Sequence, residues 1–126
     1  MNPTVTNNDA TIETGGKFGK SCYYFNGTSA RISCSSMTYN YPLSVSLWFK
    51  PMDVASSTTQ YIFSYDTSNG GSAGHALGIG FYSGVFAVWY GGTYKTISAS
   101  ISNGNWYHVT VTISESKVLK VYVDGS

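Results

Sequence analysis

The chain has 126 residues, enough for one domain that buries roughly two-thirds of its unfolded surface. Charged residues make up 10% of it, against about a quarter in typical domains, which argues against a cytosolic α-rich enzyme. A net charge of +1, spread over scattered basic residues, leaves no electrostatic footprint for nucleic acid or a membrane surface.

Residues 1–15 read as a polar arm or a weakly anchored first strand, centred on Asn7-Asn8-Asp9. They lack the basic and apolar regions of a signal peptide, and no later stretch approaches the roughly 18 apolar residues of a membrane span. Either the chain is a fragment and Met1 is not its native start, or the protein reaches its destination without a signal, as a virion protein would. Gly15-Gly16 marks a break, and residues 16–126 read as one β-domain. Lys20 to Phe25 predicts a strand, Asn26 to Ser29 a turn, and Ala30 to Ser35 a returning strand. Cys22 and Cys34 fall on the two arms of this hairpin. If they sit opposite each other, a disulfide is geometrically reasonable. If Tyr23 and Phe25 face inward together with Ile32 and Cys34, the sulfurs point to opposite faces unless a bulge intervenes.

Leu43 to Lys50 alternates, with Val45, Leu47 and Phe49 on one face and Ser46, Trp48 and Lys50 on the other; Pro51 ends the run. Gln60 to Tyr65 predicts a short aromatic strand, and Asp66 to Gly74 a loop. Leu77, Ile79 and Phe81 alternate with glycines, so one face of that strand is apolar and the other nearly bare. Ser83-Gly84 turns it into Val85 to Tyr90, and Gly91-Gly92 leads to a strand over Tyr94 to Ile101. Asn103-Gly104 then opens the last pair, Val109 to Ile113 and Leu119 to Val123, joined by Ser114 to Lys117. Asp124-Gly125 is a strong hairpin signal that needs a strand after it, so the chain is expected to stop inside a sheet. Short connections and the lack of any helical period predict an all-β antiparallel sandwich.

Three segments carry a family resemblance in order and spacing: GKFGKSCYYFNGTSARISC over residues 16–34, LSVSLWFKP over residues 43–51, and WYHVTVT followed by KVYVDG near the end. Together they resemble the laminin-G-like, concanavalin-A-like jelly-roll domains. The resemblance implies a jelly-roll β-sandwich and a structural role for His108. It also implies further strands beyond the Asp124-Gly125 turn. The edge after Val123 would otherwise invite aggregation. Its expected cover is the remaining part of the same polypeptide or a neighbouring subunit.

The resemblance includes glucanases with a carboxylate cluster, but the matching stretch WYHVTVTIS has no acid. No two of the six acidic residues lie two or four apart on one strand, the spacing that would put an acid and a nucleophile on one face. An enzyme is therefore not expected. Many relatives bind Ca²⁺ at a sandwich rim, and Asp66 and Asn69 supply oxygen ligands at workable spacing, although one carboxylate is thin for a hard cation. Surface aromatics remain. Trp48 faces away from its strand's core residues, and one of the neighbours Trp89 and Tyr90 must do the same. Tyr94 is a further candidate, with Tyr82, Trp106 and Tyr122 behind it. Aromatic rings stack on the C–H faces of sugars, and Asn, Ser and Asp bind hydroxyls. The same rings also stabilise sheets with no ligand at all.

The expected function is a non-catalytic module that binds a glycan or surface ligand, within a larger extracellular, cell-surface or virion adhesion protein. The alternative is a structural virion component, a head-decoration or tail-fibre domain working through protein–protein assembly.

Overall fold

The computed structural model describes residues 3–35, 40–66 and 75–126. Among these there are eleven strands and no helix. They are β1 (Val5–Asn8), β2 (Thr11–Thr14), β3 (Ser21–Tyr24), β4 (Arg31–Cys34), β5 (Leu43–Phe49) and β6 (Gln60–Asp66). The others are β7 (His75–Tyr82), β8 (Val85–Tyr90), β9 (Thr93–Thr96), β10 (Tyr107–Ile113) and β11 (Leu119–Val123). They form the sheets β1-β4, β2-β3, β11-β10-β5 and β6-β7-β8-β9. The all-β, antiparallel architecture expected from the sequence is the one observed. The residues divide into two compact units, Met1–Ser46 with Thr110–Val121, and Leu47–Val109 with Tyr122–Ser126.

In the first unit the polar N-terminal segment, readable from the sequence as an arm or a weakly anchored first strand, contributes two strands, β1 and β2. Asn7 closes the turn between β1 and β2: its side-chain amide donates to the Ala10 carbonyl at 2.9 Å, and its oxygen accepts the Ala10 N–H at 3.1 Å. The expected Cys22–Cys34 hairpin does not form. β3 pairs with β2, placing Cys22 opposite Glu13, and β4 pairs with β1, placing Cys34 opposite Val5. The thiols therefore sit on separate ladders, and both are free. The physical reason lies in the turn over Asn26 to Ala30. Asn26 Oδ1 accepts three successive backbone N–H groups, from Thr28, Ser29 and Ala30. That wide turn carries the chain from one ladder to the other, where a two-residue turn would have folded β4 back on β3.

The second unit holds the four-stranded sheet and the aromatic core. Leu77, Ile79 and Phe81 of β7 lie opposite Tyr90, Val88 and Phe86 of β8 and share one face. Phe49 at the end of β5 covers that face, with its ring 5.7 Å from Phe86 and 6.3 Å from Phe81. Burial of this kind contributes about 1.5–3 kcal/mol for each large apolar side chain. Gly91 and Gly92 both have positive φ, 63° and 79°, which matches the two-residue hairpin joining β8 to β9. β9 stops at Thr96, short of the predicted Ile101, after which the Ile97 N–H reaches back to the Phe86 carbonyl.

β6 contains a bulge. Tyr61 lies opposite Gly80, yet Phe63 lies opposite Ile79, so Ile62 is the extra residue. The bulge reverses the facing of the strand partway along. Phe63 and Tyr65 share the core face with Ile79 and Leu77, while Tyr61 stands on the outer face above the glycines of β7.

Candidate ligand-binding site

The outer face of the four-stranded sheet, within the second unit, carries a chain of aromatic rings. Trp89 on β8 is opposite Gly78 on one side and Tyr94 of β9 on the other. The Tyr61 ring is 4.8 Å from the Trp89 ring, Trp89 is 6.2 Å from Tyr94, and Tyr94 is 4.4 Å from Tyr82. The neighbours are tilted, at 36° to 54° to each other. Gly78 explains how Tyr61 reaches Trp89 from two strands away. A Cβ on Gly78 would stand 3.3 Å from both Tyr61 Cε1 and Trp89 Cβ, space the two rings now use. The nearly bare face predicted for β7 is therefore a floor on which larger side chains lie.

Trp89 is the base of the arrangement, with 8% of its surface exposed, whereas Tyr61, Tyr82 and Tyr94 are 41%, 39% and 40% exposed. The rings border a shallow recess of about 210 Å³ whose other walls are Thr59, Gly92 and Thr93. No lining residue carries a formal charge. The surface thus offers flat apolar rings edged by tyrosine and threonine hydroxyls, which donate and accept hydrogen bonds without electrostatic demand.

Of the residues proposed from the sequence, Trp89 and Tyr94 come together here. Tyr90 does not join them, because its register opposite Leu77 puts it on the core face. Trp48 stands on another sheet, on the side of β5 away from Phe49, with its ring 4.9 Å from that of His108. Trp106 carries the Lys50 ammonium 5.5 Å above its ring, and Tyr122 projects from β11. Asp66 ends β6 in register with His75, and Asn69 lies outside the described residues. Among the described residues no three His, Cys, Asp or Glu side chains gather at metal-binding distances. Tyr61 was missed by sequence reasoning, since unbroken alternation groups it with Phe63 and Tyr65.

A second recess in this unit, about 320 Å³, runs past Ser98, Ser100, Tyr107 and Asp124. The Tyr107 hydroxyl meets the Ser102 hydroxyl at 3.2 Å and accepts the Ser102 N–H at 2.9 Å. These contacts, with a smaller one from Asn105, hold the phenol below its ordinary pKa of 10.0 against the opposing pull of partial desolvation and the Asp124 charge. Asp124 itself accepts the His108 N–H at 2.8 Å. With Gly125 it forms the Asp-Gly turn read from the sequence, closed by two bonds between Val123 and Ser126.

A laminin-G model described as the concanavalin A-like lectin/glucanases superfamily matches residues 23–126. The chain belongs to that superfamily. The match takes in both recesses of this lectin/glucanase domain and begins inside β3. No individual curated protein and no solved structure matches the chain. The superfamily assignment supports a carbohydrate- or ligand-binding module of lectin type, and such lectin-type domains are generally non-catalytic.

Proposed function

We propose that this domain is a non-catalytic glycan-binding module that holds a neutral sugar against Tyr61, Trp89, Tyr94 and Tyr82. The observation that carries the reading is the uncharged aromatic recess on the outer face of the sheet. A sugar ring has one apolar C–H face and a rim of hydroxyls. The recess has the complementary pair, tilted rings and neutral hydroxyls. Its volume of about 210 Å³ falls below the roughly 300–1,000 Å³ of drug-sized sites. One sugar unit therefore seats in it while the rest of a longer glycan lies along the sheet. We place the module in an extracellular, cell-surface or virion adhesion protein, where glycans are presented.

The test is a broad glycan array with the whole chain, followed by titration of the best hits against Tyr94→Ala and Tyr61→Ala. Each substitution should weaken binding by about tenfold or more, the scale expected of an anchoring ring. Tyr122→Ala, on another strand, should leave binding unchanged. A blank array, or equal loss in all three variants, would sink the reading.

A second reading, a structural virion component, draws on a different observation. In the first unit the β1-β4 ladder leaves Val5, Ile32 and Cys34 exposed on one face, and the β2-β3 ladder leaves Ile12 and Tyr23 exposed on one face. Isolated two-stranded ladders are marginal in water. We propose that a neighbouring subunit, or more of the same polypeptide, covers them. Co-purification with large particles would favour assembly, and a freely soluble monomer would count against it.

A further inference from the structure

The described residues contain two Asn-Gly pairs, Asn26-Gly27 and Asn103-Gly104, and they sit in opposite chemical situations. The side-chain amide of an asparagine is open to attack by the backbone nitrogen of the next residue, most readily when that residue is glycine and no side chain shields the nitrogen. The products are a five-membered cyclic imide and ammonia. Whether a given pair reacts depends on three things: the freedom of that nitrogen, the polarisation of the side-chain carbonyl and access to water.

At Asn103-Gly104 the nucleophile is occupied. The Gly104 N–H donates to the Pro51 carbonyl at 2.8 Å, and Asn103 Oδ1 accepts a single N–H, from Val54, at 2.8 Å. At Asn26-Gly27 the positions are reversed. The Gly27 N–H donates to no acceptor among the described residues. Asn26 Oδ1 accepts N–H groups from Thr28 at 2.9 Å, Ser29 at 3.0 Å and Ala30 at 3.0 Å. Three donors converging on one carbonyl oxygen form an oxyanion hole, stabilising the negative charge that develops there during attack. The Asn26 side-chain nitrogen, which must leave, points outward to Ser29 Oγ at 3.2 Å. Asn26 to Ser29 are all exposed, and nothing stands within 4 Å of where a Cβ on Gly27 would lie.

We propose that Asn26-Gly27 is a site of spontaneous self-modification, and that the fold selects it over Asn103-Gly104. Solvent base removes the Gly27 amide proton, and the nitrogen bonds to Asn26 Cγ. The oxyanion forms on Oδ1 beneath the three N–H groups. It collapses, breaking the Cγ–Nδ2 bond, and the nitrogen departs as ammonia with a proton taken from water. Water then adds to either imide carbonyl and opens the ring, leaving aspartate or isoaspartate at position 26. The sum is amide plus water giving acid plus ammonia, with no redox partner. Each event removes the single net positive charge of the chain, taking +1 to zero. In its isoaspartate form it also lengthens the backbone inside the turn that links β3 to β4.

The experiment incubates the whole chain at neutral and mildly alkaline pH, natively and in denaturant. Peptide mapping follows amide-to-acid conversion, and enzymatic isoaspartate methylation supplies a second readout. Natively, Asn26 should convert about tenfold or more faster than Asn103, a difference of about 1.4 kcal/mol in barrier. In denaturant, where Gly104 loses its bond to Pro51, the two rates should converge. Asn69-Gly70 lies outside the described residues and is resolved on its own peptide. An Asn26→Gln chain should lose the position-26 signal and keep the slow Asn103 one. An unmodified Asn26, an Asn103 that converts natively as fast, or a rate ratio unchanged by denaturant would each overturn the proposal.

Discussion

The rings of Phe49 and Phe86 stack nearly parallel, 5° apart with 5.7 Å between centroids. They join the end of β5 to the core face of β8, and Phe81 and Tyr107 abut Phe49 at 6.3 Å and 5.8 Å. Truncating a ring in such a cluster removes its transfer energy and leaves a cavity. Phe49→Ala should cost about 3–5 kcal/mol, read as a lower denaturation midpoint in urea. Phe49→Leu should cost less, because most of the volume stays. Equal midpoints for Phe49→Ala and the parent chain would mean that these rings do not hold the unit together.

Gly78 and Gly80 should respond differently to alanine, although both lie on the outer face of β7. A Cβ on Gly80 would collide with the Gln60 carbonyl oxygen, a backbone atom of β6 that is held by the ladder to β7. Gly80→Ala should therefore destabilise by about 1–3 kcal/mol, the range for overpacked sites. The Gly78 Cβ would meet the Tyr61 ring edge and Trp89 Cβ, and the ring can swing aside. Gly78→Ala should change the melting temperature little while blue- or red-shifting Trp89 emission and weakening glycan binding. A larger stability loss at 78 than at 80 would contradict this assignment.

Tyr107 gives a pH dependence of known sign. Hydrogen bonds from the Ser102 hydroxyl and N–H favour its phenolate, so its folded pKa lies below the ordinary 10.0. A depressed folded pKa means that ionisation stabilises the fold. The gain is fully present above 10.0 and is lost as the pH falls through the lower, folded value. In an absorbance titration, one phenolate should form ahead of the other tyrosines, and Tyr107→Phe should remove that first step. Loss of the same step in Tyr122→Phe instead would show the assignment to be wrong.

The strands with strict alternation were legible from the residues alone. Val109, Val111 and Ile113 are all fully buried, as their spacing requires, and Leu77, Ile79 and Phe81 line the core opposite a bare face. The turn signals at Gly91-Gly92 and Asp124-Gly125 were equally plain, because a positive φ at both central residues leaves few alternatives. β1 and β2 were legible only in part, as an arm or one weakly anchored strand. Their residues are mostly polar, and what makes them strands is hydrogen bonding to partners distant in sequence, β4 and β3. The candidate site was half legible. Trp89 and Tyr94 follow from facing, but Tyr61 joins them only because one extra residue at Ile62 shifts the pleat, and periodicity carries no trace of that.

The Tyr82–Tyr94 contact invites a separate test. These rings sit 4.4 Å apart and both are substantially exposed. Tyr82 lies on β7 and Tyr94 on β9, with β8 between them, so this is a ring contact across a strand, and it should contribute about 0.5–1.5 kcal/mol to stability. A double-mutant cycle of Tyr82→Ala and Tyr94→Ala should return a coupling of that size. If the two rings share a ligand, the coupling measured in binding should exceed the one measured in folding. Additive binding losses would mean that the two rings act on a ligand independently of each other.

In β8, four successive residues from Phe86 to Trp89 are buried, on both sides of the strand. The strand is also paired along both edges, by β7 and β9. It therefore has no direction in which to fray, and its amides should be among the slowest in the chain to exchange with deuterium. Trp89, the base of the aromatic recess, belongs to this strand. An arriving ligand meets a surface whose motional freedom was already surrendered when the chain folded, so little ordering entropy remains to be lost on contact.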